Sequence, residues 1–254
     1  MYHSDTQTWS KKPVVLLKSH PRNQTSKTLT IGGDKGTVAW VDLWQSILLC
    51  DVLDKKPKLS CLMLPKPIMP KKAVGFGNPS CIRDIAVVGN FIKFVDMYAH
   101  FDGSSKTPRR WKAATWSIRT GSFSDGWTMD HRVKSTQIPP RPSLLHKLKV
   151  DAGIKAAADP TFSTLHVGLP CLSLQDDDIV YFLAKMDCRR SAASVLALDM
   201  SDMTVNEVHP FNAKRTLGLS RRYDASRISA YLKPALGKLI LLHFHRCSVT
   251  PSTC

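Results

Sequence analysis

The residues able to hold a metal fall in two places. His243-x-His245-x-Cys247 would set three nitrogen and sulfur donors on one face of a strand, because strand side chains alternate with a period of two. No further ligand cluster accompanies this run, so chance alternation accounts for its spacing. Asp176-Asp177-Asp178 offers the oxygen ligands that a hard cation needs. Aspartate also caps the amides of its own turn, and between two apolar runs a turn is the simpler account. No metal and no cofactor is expected. G-x-S-x-G, a phosphate loop, H-E-x-x-H and a dinucleotide fingerprint are all missing, and no catalytic residue is nominated.

The remaining chemistry is charge. Lys and Arg number 36 against 20 Asp and Glu, a formal +16, which draws polyanions by long-range potential. Residues 101–150 hold ten Lys and Arg against three Asp, whereas residues 151–210 hold nine acids against four bases. The densest stretch, Lys106, Arg109, Arg110 and Lys112, is the candidate polyanion contact. It also reads as a solvated loop that keeps a sheet protein soluble, since no aromatic stacking array or nucleic-acid motif accompanies it.

Seven cysteines without a C-x-x-C pair fit reduced thiols in an intracellular protein of cytoplasm or nucleus. Residues 1–12 are polar and Val14–Leu17 is too short for a signal-peptide core, so secretion is not expected. No run approaches the roughly 20 apolar residues of a membrane span, and no membrane partner is expected.

The elements that must carry these residues are strands. Glu207 is the only glutamate, and an acid set made of aspartate favours turns and caps over helix interiors. Residues 1–36 read as a polar leader or linker. Residues 37–44, 47–53 and 59–64 are short β-branched and aromatic runs. Arg83–Val88 and Phe91–Met97 flank Gly89-Asn90, the strongest hairpin signal in the chain. Residues 113–118 and 126–133 form a second pair. Residues 135–165 are a Pro-rich connection with one helical turn near Ser143–Lys149, and the best candidate for a mobile or functional loop. Runs at 167–174, 179–184, 194–200 and 205–208 follow. A helix is expected over 223–232, then an apolar run at 239–244.

Val38-Ala39-Trp40 followed by the run ending at Asp51 matches Ile179-Val180-Tyr181 followed by the run ending at Asp199. The aspartates stand 148 positions apart, about three units of the ~40–50 residues of a propeller blade. The predicted fold is mostly β: propeller-like repeated four-stranded antiparallel sheets in an incomplete ring, with a two-sheet β-sandwich as the alternative. Trp40, Trp44, Trp116 and Trp127 would pack between sheets.

These blocks, with Leu165–Pro170, Asp177–Phe182 and Arg215–Gly218, resemble in their order the cereal-grass family called domain of unknown function 1618. The resemblance covers residues 37–233, leaving 234–254 as an atypical tail. It implies a likeness to the propeller-like domains attached to plant F-box proteins, hence a protein-binding role. The expectation is a non-enzymatic interaction domain with protein partners. Nucleic-acid or other polyanion binding is the alternative, and a hydrolase working from residues 135–165 is a remote third.

Overall fold

The computed structural model describes residues 2–16, 23–69, 77–101, 108–153, 160–187 and 191–212. A small hairpin of β1 (Tyr2–His3) and β2 (Thr8–Trp9) precedes β3 (Val15–Leu16). The first sheet is then built by β4 (Lys27–Gly32), β5 (Thr37–Asp42), β6 (Ser46–Asp51) and β7 (Lys58–Met63), with β3 added parallel to β7. The second contains β8 (Arg83–Val88), β9 (Phe91–Phe101), β10 (Pro108–Arg119) and β11 (Thr128–Lys134). After helix α1 (Pro142–Asp151), the third contains β12 (His166–Leu172), β13 (Ile179–Lys185), β14 (Ala192–Asp199) and β15 (Thr204–Asn212).

In each sheet four consecutive strands pair antiparallel with their sequence neighbours, giving three meanders, none closed on itself. The hairpin expected at Gly89-Asn90 joins β8 to β9 with Val88 opposite Phe91, and Gly89 takes φ +54, which costs glycine nothing. The matched sequence blocks occupy equivalent positions: β5 and β13 are second strands, β6 and β14 third strands. Asp51 sits opposite Thr37 as Asp199 sits opposite Ile179.

The sheets stack, and alternation sorts their side chains. From β10, Ala114, Trp116 and Ile118 enter one core with Ala39, Val41 and Ile47 of the first sheet. Trp111 and Ala113 enter another with Phe182, Leu196 and Leu198 of the third. The second sheet is therefore buried on both faces, which is why β8 reads as a near-continuous apolar run.

Several expectations change. The 148 positions between Asp51 and Asp199 span two units, not three, because long connections separate the meanders. A two-sheet sandwich has one inter-sheet core, whereas three sheets here enclose two. In its described part the connection expected as a mobile or functional loop is packed: α1 spans ten residues, and its Leu145 and Leu148 join Phe162 and Leu165 in the second core. Trp40 lies on the opposite face of β5 from the buried Ala39 and Val41, so it does not pack between sheets. The first meander starts at Lys27, inside the segment read as a leader, while the helix and apolar run expected beyond residue 212 lie outside the described residues.

The seam between the first two sheets is fixed by a buried ion pair. Arg83, 1% exposed, donates Nε to Asp96 Oδ1 at 2.9 Å, and Asp96 is fully buried. The Arg83 Nη1 donates across the seam to the Leu43 and Trp44 carbonyls at 2.8 and 3.2 Å, and its guanidinium lies 5.0 Å from the Trp44 ring centre. The Ile68 N–H donates to Asp96 Oδ2 at 2.9 Å. Burial pushes the Asp96 carboxyl up, against the pull of Arg83 and of the Ile68 N–H.

Removing either partner strands the other, at a cost of about 3–5 kcal/mol. The two losses differ in pH dependence. In Arg83→Met, Asp96 relieves its burial by taking a proton, so the loss shrinks on acidification; in Asp96→Asn, Arg83 has no neutral form. Urea unfolding of both variants from pH 8 down to pH 5 should show a deficit that narrows for Arg83→Met and holds for Asp96→Asn.

Candidate functional site

The predicted basic cluster divides. Lys106 lies outside the described residues, and Arg109 is placed on β10 by its backbone. Arg110 and Lys112 stand two apart on β10, on the face that carries Ala114 and Trp116 toward the first sheet. Arg110 is exposed and Lys112 half-buried, so this end of the face extends past the cover of the first sheet.

The register brings residues that a linear reading missed. Lys134 of β11 pairs with Lys112, and Arg132 pairs with Ala114, which sets both on the same face as Arg110. On the other side Tyr98 of β9 pairs with Lys112, whose Nζ lies 5.6 Å from the Tyr98 ring centre. Arg110, Lys112, Arg132 and Lys134 thus form a two-row ledge, with rows about 5 Å apart and steps of about 7 Å along each strand. Among the described residues no carboxylate makes an ion pair with any of the four. Lys112 opposite Lys134 is a like-charge cross-strand pair, an arrangement that costs stability. A hairpin register drawn from 113–118 and 126–133 would have exposed this pairing.

The acidic turn is spent on structure. Lys93 donates to the Asp177 carbonyl at 2.8 Å, and His131 Nε2 lies 2.9 Å from Asp178 Oδ1, so the turn of the third sheet is tied to the second. Ser173 Oγ accepts from the Asp176 N–H at 3.0 Å. Asp84 acts likewise at the edge where the first strands of the sheets converge: its carboxylate accepts from Lys27 at 2.8 Å and from the Leu172 N–H at 3.1 Å. Asp42, Asp51 and Asp199 serve their own turns and strand ends, accepting from the Trp44 N–H, the Thr37 hydroxyl and the Ser201 N–H. Among the described residues no group of three His, Cys, Asp or Glu side chains is placed to hold a metal, and His243, His245 and Cys247 lie outside them.

Burial pushes the Cys50 and Cys81 thiols up, away from the reactive thiolate. A pocket between α1 and the third sheet, lined by Leu148, Ala152, Lys185 and Ser194, has about 10 Å³, room for one water. Among the described residues no helix is long and apolar enough to cross a membrane.

Three stacked meanders with a basic ledge on the middle sheet define a β-rich domain presenting a charged surface. The family model described as a protein of unknown function, DUF1618, matches residues 40–181, and the chain belongs to that family. The chain matches no curated protein and no solved structure.

His166 heads β12 at 5% exposure, and burial holds its imidazole below the ordinary value, with Lys185 adding to the effect and Asp187 opposing it. The unfolded chain therefore binds the proton first as pH falls below about 6.5, and the stability from neutral His166 is lost on acidification. Urea midpoints between about pH 7.5 and 5 should fall with pH in the parent protein, and His166→Phe should flatten that slope.

Proposed function

We propose that the chain is an intracellular, non-enzymatic protein-interaction domain whose contact surface is the basic ledge of the second sheet. The observation carrying this reading is the ledge itself. Four cations, three of them exposed, share one face without an ion-pairing carboxylate, and two of them face each other at a cost. A surface that keeps such repulsion gains stability when an anionic partner arrives. Buried polar groups such as Arg83, Asp84, Lys93 and Asp96 are meanwhile committed to the seams.

The formal +16 favours a second reading, a nucleic-acid contact. It expects affinity for DNA and RNA that falls steeply with salt, and absent or salt-independent binding to both excludes it.

The test is photo-crosslinking in cell extract from a reactive amino acid at Met129, exposed on β11, with Lys55 in the exposed β6–β7 turn as control. Discrete protein adducts from position 129 that are missing from position 55 are expected. Equal labelling from both positions, or adducts to nucleic acid alone, would overturn the proposal.

A further inference from the structure

We infer that β11 accepts an extended peptide with acidic residues at alternate positions, added to the second sheet as a fifth strand. This rests on the interaction reading above and names the chemistry of the partner. The strand order β11-β10-β9-β8 leaves one side of β11 without a strand neighbour among the described residues. The Lys134 N–H turns away from β10 and donates to Gln137 Oε1 at 3.2 Å. The Trp111 N–H, in line with the Ala113–Val133 pair, points toward the β11 side and meets Ser135 Oγ at 3.1 Å. Alternation therefore directs the Arg132 N–H and C=O to the open side, as strand addition requires.

The side chains define what the incoming strand must carry. Residues of an added strand that share the ledge face would sit beside Arg132 and Lys134, two positions apart. Carboxylates at positions i and i+2 then oppose both cations and offset the Lys112–Lys134 repulsion. A second copy of β11 fits less well, because antiparallel self-pairing centred on Arg132 or Val133 would oppose cation to cation. A nucleic acid fits less well than a peptide on two counts. It has no N–H and C=O ladder for the open edge, and the Tyr98 ring that would stack a base already carries Lys112.

The test measures binding of the full chain to three probes of equal charge by fluorescence anisotropy. One peptide alternates Glu and Val, one has the same residues with the glutamates in a block, and the third is a single-stranded oligonucleotide. The alternating peptide should bind about tenfold tighter than its block isomer, the sum of a few cross-strand charge pairs. It should also protect the Arg132 amide from hydrogen exchange. Arg132→Glu with Lys134→Glu should abolish that preference and create one for an alternating Lys peptide. Lys55→Glu with Lys56→Glu, which removes the same charge elsewhere, should leave it intact; circular dichroism checks that both variants fold. Equal binding of all three probes, loss of preference in both variants, or no binding by the alternating peptide would overturn the inference. Partner adducts persisting at Met129 in that case would show that the interaction reading stands while the acidic strand does not.

Discussion

The arrangement of the first two sheets turns on Arg83 and Asp96. Each is a charge moved out of water, a cost that ion pairing alone seldom recovers. The pair is directional, however, where an apolar contact is not. Arg83 leaves β8, holds Asp96 on β9 and reaches the Leu43 and Trp44 carbonyls in the turn between β5 and β6. If the first sheet slid along the second, the guanidinium would lose those acceptors and remain buried, a penalty that greasy side chains do not impose. The ion pair thus selects one registration among several that the apolar core would tolerate. It also decides where the basic ledge begins, because Asp96 lies one alternation from Tyr98 on β9 and holds Ile68 of the chain leaving the first sheet.

The second seam is held differently. Its centre is apolar, with Trp111 and Phe182 rings 5.6 Å apart and the Trp111 Nε1 satisfied by the Phe162 carbonyl at 2.8 Å. Its charged contacts are made by the buried Lys93 and the half-buried His131 to the Asp177–Asp178 turn, and water screens the half-exposed Asp178 end of the second contact. At the converging edge β12 bulges between Gly168 and Cys171, and Leu169 there takes φ +50, a conformation costing roughly 1–3 kcal/mol outside glycine. Leu172, just beyond, donates to Asp84, which also holds Lys27 of the first sheet. Asp84 is thus the one carboxylate among these contacts whose ties reach all three sheets.

Much of this was legible in the residues. Short β-branched, aromatic and apolar runs placed the strands of the three meanders from β5 onward, and Gly89-Asn90 marked its hairpin, because strand propensity and turn chemistry are local properties. The matched pairs β5–β6 and β13–β14 revealed the repeat. Its unit length was misjudged because α1 and its flanks look like a loop in a Pro-rich stretch, although Leu145, Leu148, Phe162 and Leu165 belong to a core. The role of Trp40 was misjudged because an aromatic residue in a strand does not declare its face. Arg83–Asp96 went unseen for a different reason: its value depends on a turn 40 residues away. Arg132 and Lys134 were passed over because linear clustering drew attention to Lys106–Lys112, whereas the ledge exists only in the cross-strand register.

The ledge also shows why guarding an edge and recognising a partner need not be separate tasks. An open edge strand invites pairing with any extended chain, and charged side chains are a common defence. Cations on one face of β11 exclude other copies of the same strand and apolar segments that would leave them desolvated and unpaired. They do not exclude a strand that brings carboxylates at matching intervals. The repulsion between Lys112 and Lys134 sharpens that distinction, since it raises the energy of the free surface and is relieved only by negative charge. Specificity is a difference between affinities, and a surface can gain it by penalising the wrong partner as well as by rewarding the right one. On this ledge the same four cations do both.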